Sequence, residues 1–273
     1  MSHQLWGPFH LMPNCRLWVA EDRTCQDCTE SELALRLADA RLSDRERDRW
    51  DRYRPLQKKK QFLNSRLVIR AVLNCEFGSD AAHLIVDTME SGRPVLMDSQ
   101  KRQVANISLS HTGNMTTIAL SHVRYGLGID IETVQHLNAR SFGLSFINRL
   151  ERDGLMQAAL TEDPNATLAI WTLKEAFWKA LGGPHDTALG EIIAEYRNHI
   201  LTAHAPCLRD QQKPLAIQFF GHGYSFPIEL RNYSSINLPE SEISAFVGCV
   251  VLVDTQIIEN QQVPKSTGSD RQR

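Results

Sequence analysis

Two short stretches hold residues whose types and spacing could do chemistry: Gly128-Ile129-Asp130-Ile131-Glu132 and Trp171-Thr172-Leu173-Lys174-Glu175-Ala176-Phe177-Trp178-Lys179. The first alternates apolar and acidic residues as a strand does, and side chains two apart share a strand face, so Asp130 and Glu132 point the same way. The second has helical spacing, with Leu173, Phe177 and Leu181 four apart on an apolar face and Glu175 and Lys179 neighbours on another. Packing that helix on that strand would gather three carboxylates and two lysines. Magnesium takes oxygen ligands and phosphate oxygens favour ammonium partners, so the expected chemistry is that of a divalent-metal and phosphate site. Each half alone is commonplace: Asp-x-Glu is usually a solvated strand face, and Glu-x-x-x-Lys an ordinary helix-surface pair.

No other constellation competes. Of the six cysteines at 15, 25, 28, 75, 207 and 249, only Cys25 and Cys28 form a Cys-x-x-Cys, and no second pair follows at zinc-finger spacing. Reduced cysteines of a cytoplasmic protein are the plainer reading. The ten histidines form no His-x-x-x-His pair with a nearby Glu. His111 lies beside Ser110, Thr112 and Gly113 at the mouth of an expected hairpin, where it could donate to phosphate oxygens; a satisfied surface histidine is the alternative.

The elements that must position these residues alternate between helices and strands. Arg16–Ala20 reads as an opening strand, and Ser31 starts a first helix. Ser43 and Glu46 form a capping box for a second. The run from Arg45 to Lys60 is rich in Arg and Lys, partly balanced by Asp44, Glu46, Asp48 and Asp51. Its local excess suits an anionic ligand or partner. Phe62, Leu63, Leu67, Ile69, Val72 and Leu73 give the next helix an apolar face flanked by Arg66 and Arg70, and Gly78-Ser79-Asp80 ends it. Residues 84–87 read as a short strand, Ser91-Gly92-Arg93-Pro94 as a turn, and 104–121 as a hairpin turning at His111-Thr112-Gly113-Asn114. Leu127–Glu132 is the next strand. Helical pieces are expected within 141–159 and a long helix over Ala166–Leu181, closed by Gly182-Gly183-Pro184. Strands follow near 190–196, 214–220, 226–231 and 244–253.

This pattern points to an α+β fold of two halves, each with helices packed on a small, mainly antiparallel sheet. The expected divisions are 1–125, 126–255 with the metal site, and a disordered tail over 256–273 that has nothing to bury. A chain of 273 residues with 42% hydrophobic residues can fill a sizeable core, and a net charge of −2 offers no global basic field for nucleic acid. Ala245–Val253 is too short for a membrane helix, and no secretory signal is expected at the N-terminus.

Both stretches together resemble the signature of 4′-phosphopantetheinyl transferases. The family pattern is (I/V)-G-(I/V)-D, about forty residues, then (F/W)-(S/C/T)-x-K-E-(S/A)-x-x-K. Here Leu127 replaces the first residue, Gly128-Ile129-Asp130 follows, 40 residues intervene, and Trp171 to Lys179 meets every fixed position. Gly92-Arg93-Pro94 is similar to the family's Gly-(Lys/Arg)-Pro, and Ser108-Leu109-Ser110-His111-Thr112 to its Ser-His-Ser/Thr hairpin. Gln61–Arg66 resembles the helix that carries an arginine to the nucleotide. The length and the matches from about 45 to 183 resemble the surfactin-synthetase-activating subfamily, monomers of two pseudo-symmetric halves.

The resemblance implies transfer of the phosphopantetheine arm of coenzyme A to a serine of an apo acyl or peptidyl carrier protein, releasing adenosine 3′,5′-bisphosphate. It implies Mg²⁺, with Mn²⁺ as a substitute, held by Asp130, Glu132 and Glu175. Glu175 doubles as candidate general base, and Lys179 meets the pyrophosphate or protonates the leaving group. Lys174, Ser110, His111, Thr112 and Arg93 would contact coenzyme A phosphates, and Arg66 its adenine end. The basic run 45–60 would supply a further 3′-phosphate contact or a docking surface for acidic carriers. Two rivals stay open: a metal-dependent nuclease, and a coenzyme A or carrier-binding module without turnover. Many nucleases place Glu-x-Lys two apart on a strand, whereas Glu175 and Lys179 are four apart in a helical pattern.

Overall fold

Cap chemistry accounts for the first two helices. In the computed structural model, which describes residues 4–21, 29–89, 93–133, 164–183, 189–197, 200–205, 214–221, 233–236, 238 and 246–254, α1 spans Glu30–Ala40. Its capping box is Thr29 with Glu32, so it starts one residue before the expected Ser31. The expected box of Ser43 and Glu46 opens α2 (Asp44–Arg52). Pro55 leads into α3 (Leu56–Phe77), which stops at Gly78, whose φ of 55° suits a residue without Cβ.

Six strands form the first sheet: β1 (Gln4–Met12), β2 (Cys15–Glu21), β3 (Ile85–Thr88), β4 (Pro94–Met97), β5 (Gln103–Thr112) and β6 (Met115–Ser121). All pair antiparallel in the order β1-β2-β6-β5-β4-β3. The sequence reading did not include β1, an edge strand with mostly half-buried or exposed residues and an internal Gly7-Pro8, so the two-residue hydrophobic period is blurred. In the β5–β6 hairpin His111 pairs with Thr116 and Thr112 with Met115. The turn is therefore Gly113-Asn114 alone, with Gly113 at φ 54°, and His111 belongs to the strand rather than to the turn.

A second sheet follows from β7 (Tyr125–Thr133), with α4 (Pro164–Ala180) between it and the remaining strands in sequence. β8 (Ile193–Arg197) and β9 (Ile200–His204) pair only with each other among the described residues. β10 (Leu215–Phe220), β11 (Tyr233–Ser235) and β12 (Phe246–Asp254) join β7 in the order β11-β10-β12-β7, antiparallel except for β10 with β11. β9 and β11 are additions to the sequence reading. The expected helical pieces of 141–159, the strand at 226–231, the tail 256–273, and Cys25, Cys28 and Cys207 lie outside the described residues.

The architecture is α+β, with sheets of six and four strands and the separate β8–β9 pair among the described residues. Alternation along the strands sorts their side chains into layers. Trp18, Ala20, Ile107, Ile118 and Leu120 of the first sheet pack against Val68, Ile69, Val72 and Leu73 of α3. Leu17, Val19, Met115 and Ala119, on the opposite face, share a core with Leu127, Ile129, Ile131, Phe246, Val250 and Leu252 of the second sheet. That sheet's other face, through Val247, Cys249 and Val251, buries Leu173, Ala176, Phe177 and Ala180 of α4. Each such fully buried large apolar side chain contributes roughly 1.5–3 kcal/mol. No described helix is long and apolar enough to cross a membrane.

Candidate active site

The position of α4 over β7 begins with a missing side chain. A Cβ on Gly128 would stand 1.7 Å from the Ala176 carbonyl oxygen and 2.6 Å from the Ala180 backbone nitrogen. Only glycine lets helix and strand approach this closely. Two residues along β7 on the same face, Asp130 lies buried at 4% exposure, paired across the sheet with Cys249. Lys179 Nζ donates to Asp130 Oδ1 at 2.7 Å and to the Ile129 carbonyl oxygen at 3.1 Å. Ser110 Oγ donates to the same Asp130 oxygen at 2.7 Å. Glu132 accepts from Thr112 Oγ1 at 3.0 Å.

Electrostatics tie the three carboxylates together. Burial, then the nearby negative charge of Asp130, pushes the Glu132 carboxyl above its usual range. Burial also pushes Glu175 up; Lys179 opposes the shift and Asp130 adds to it. Among the described residues, no three Asp, Glu, His or Cys side chains already stand grouped to hold a metal ion. The donor set nonetheless fits a divalent cation. Asp130 Oδ2 is buried with no hydrogen-bond partner among the described residues, an arrangement that costs free energy until a proton or cation meets it. Asp130 raises both glutamates, so a positive charge between them would relieve all three.

Lys179 also lines a cavity of about 500 Å³ between α2, α3, β5 and the end of α4. Five further basic side chains line it: Arg49, Lys58, Arg66, Arg93 and His111. The aromatic rings of Tyr53, Phe62 and Trp178 supply apolar wall. His111 reaches it because β5 turns Ile107, Leu109 and His111 towards α3. Burial, Lys179 and Lys58 hold the His111 imidazole below its ordinary range, with Asp130 opposing. Gly182 and Gly183 take φ values of 92° and 60° and end α4 beside the cavity, where Gly183 N–H donates to the Trp178 carbonyl oxygen.

A cationic cavity joined through one lysine to buried carboxylates suits a phosphorylated substrate, and comparison with known families narrows the choice. Residues 28–123 match the model described as 4′-phosphopantetheinyl transferase, N-terminal, and residues 126–233 match the 4′-phosphopantetheinyl transferase superfamily. The chain belongs to the 4′-phosphopantetheinyl transferase family. A Synechocystis sp. protein assigned by name to these transferases is 26% identical over 221 residues, covering 74% of this chain and 83% of that one. The 4′-phosphopantetheinyl transferase HetI of Nostoc sp. is 26% identical over 154 residues, covering 56% of this chain and 65% of that one.

The residues expected at the site separate into three groups. Arg66, Arg93, His111 and Lys179 line the cavity. Arg66 is also committed to the protein itself: it is buried, its Nε donates to Glu46 Oε1 at 2.6 Å, and its guanidinium lies over the Phe62 ring. Asp130, Glu132 and Glu175 stand beyond Lys179, outside the lining, as do Ser110 and Thr112, which face the β7 carboxylates. Lys174 is fully buried at 0% exposure and is not brought into the cavity.

From the basic run, Arg49 and Lys58 reach the cavity. Arg45 instead donates to the Thr88 carbonyl oxygen and Arg52 to that of Asp48. Tyr53 and Trp178 were not singled out by sequence. Tyr53 accepts a hydrogen bond from Arg49 Nε at 2.7 Å, and only the fold reveals that the α2–α3 junction carries this pair into the cavity.

Proposed function

We propose that the protein catalyses Mg²⁺-dependent transfer of the 4′-phosphopantetheine arm of coenzyme A to a serine of an apo acyl or peptidyl carrier protein. The products are holo carrier protein and adenosine 3′,5′-bisphosphate. The reading extends to a cytoplasmic monomer of the surfactin-synthetase-activating type, with halves divided near residue 125. One observation carries the chemistry: Lys179 is shared between a cavity lined by Arg49, Lys58, Arg66, Arg93 and His111 and the buried Asp130. An anion seated among those cations therefore ends at the carboxylate group.

In this mechanism the carrier serine oxygen attacks the phosphorus bearing the pantetheine arm, and the bond to the adenosine-side phosphate breaks. Asp130, Glu132 and Glu175 would hold the metal ion, whose charge would stabilise the pyrophosphate oxygens. Glu175 takes the serine proton; its raised pKa makes it a stronger base than an exposed glutamate. Lys179 neutralises or protonates the departing phosphate, and His111, Arg93, Lys58 and Arg49 hold the nucleotide phosphates.

Intact-mass analysis of a panel of apo carrier proteins, incubated with the enzyme, coenzyme A and Mg²⁺, tests the reading. The expected result is a gain of one phosphopantetheinyl group on at least one carrier, lost on chelation and restored by Mg²⁺ or Mn²⁺. No gain on any carrier, or undiminished gain with Asp130→Ala and Glu175→Ala, would refute it.

A further inference from the structure

β5 and β7 belong to different sheets, yet they lie side by side. Three hydroxyls two apart on one face of β5 make the junction. Ser108 Oγ accepts the Ile129 backbone N–H at 3.1 Å. Ser110 Oγ donates to Asp130 Oδ1 at 2.7 Å. Thr112 Oγ1 accepts the Thr133 backbone N–H at 3.2 Å and donates to Glu132 Oε2 at 3.0 Å. A hydroxyl has one proton and an ionised carboxylate only accepts, so the sense of both carboxylate bonds is set. Ser110, with Lys179, engages Oδ1 of Asp130 and so fixes which oxygen is left over, the buried Oδ2, which has no hydrogen-bond partner among the described residues. Thr112 and the Trp171 side chain hold Glu132.

Resemblance assigns Ser110 and Thr112 to coenzyme A, but both are buried and turned towards carboxylates, whereas His111 between them lines the cavity. We propose that Ser110 and Thr112 are positioning residues that orient Asp130 and Glu132 towards a divalent cation, while Ser108, which also borders the cavity, ties the strands together and holds no carboxylate. The inference rests on the reading of those carboxylates as metal-holding. Partners behind first ligands typically change metal affinity about 10–100-fold when removed.

The test is Mn²⁺ binding to the full chain, read by electron paramagnetic resonance with adenosine 3′,5′-bisphosphate present, alongside thermal melts and nucleotide affinity without metal. Ser110→Ala and Thr112→Val should each weaken Mn²⁺ binding about 10–100-fold with metal-free nucleotide affinity unchanged. Thr112→Ser, which keeps the hydroxyl, should restore it. Ser108→Ala should lower the melting temperature and leave Mn²⁺ affinity in place. Normal Mn²⁺ affinity in folded Ser110→Ala and Thr112→Val, with weakened nucleotide binding, would overturn the proposal and return both hydroxyls to the coenzyme. Wild-type protein that binds no Mn²⁺ would overturn the metal reading as well. If Ser110→Ala does not fold, the Thr112→Val and Thr112→Ser pair decides between these outcomes.

Discussion

Gly128 of β7 lies directly beneath Ala176 of α4, with no room for even a methyl group between them. A Cβ there meets backbone rather than a flexible side-chain tip, so the helix itself would have to move. Gly128→Ala should therefore cost at least about 1–3 kcal/mol of stability, measured by urea denaturation. It should also lower transfer activity more than that loss of folded protein explains, because Lys179 sits on the displaced helix. A fully active, equally stable Gly128→Ala would show that the helix does not hold the site in this way.

The ion pair of Lys179 with Asp130 is the second point of leverage, since Asp130 is buried and Lys179 only partly exposed. Asp130→Asn should reduce the transfer rate about 10²–10³-fold or more, with near-unchanged circular dichroism, because it removes the charge that orders Lys179 and that would face the proposed cation. Single-turnover assays with a responsive carrier protein provide the measurement.

His111 gives a pH dependence with a definite sign. Its pKa in the folded protein lies below the ordinary 6.5, so protonation is disfavoured in the native state. The stability it contributes is present above 6.5 and falls away as pH drops through the depressed native value. A bound phosphate would reverse the preference and raise that pKa. Affinity for adenosine 3′,5′-bisphosphate should thus strengthen as pH falls through the window beneath 6.5, and His111→Gln should flatten that window. NMR titration of the imidazole with and without nucleotide checks both statements.

Arg66 and Glu46 form a buried pair in which Glu46 also caps α2 through the Ser43 backbone N–H. Glu46→Gln leaves the guanidinium uncompensated and should destabilise the protein by about 3–5 kcal/mol in denaturant titrations. Nucleotide binding should weaken too, because Arg49, on the same helix, lines the cavity. Stability equal to the wild type would assign Arg66 mainly to ligand rather than to structure.

Much of this was legible in the residues. The period-two run ending at Glu132 and the four-residue spacing of Leu173, Phe177 and Leu181 identify β7 and α4, because burial on one face leaves a periodic trace. The Ser43 and Glu46 capping box is local chemistry and was readable for the same reason. β1 and β11 left weaker traces, since edge or short strands keep much of their surface in water and need no strict alternation; β9 does alternate, with Leu201 and Ala203 buried, but spans only five residues.

By itself the sequence determined the chemical types present, the two elements that carry them, and the α+β class. Tertiary structure decided which groups face one another. Ser110, His111 and Thr112 are consecutive, yet the pleat sends His111 to the cavity and its neighbours to the carboxylates. Lys174 and Lys179 share one motif, yet helical rotation buries the first completely and delivers the second to Asp130. Side-chain direction can be counted along an element, but its partners depend on the element packed across from it. Here that packing was set by the absence of a side chain at Gly128.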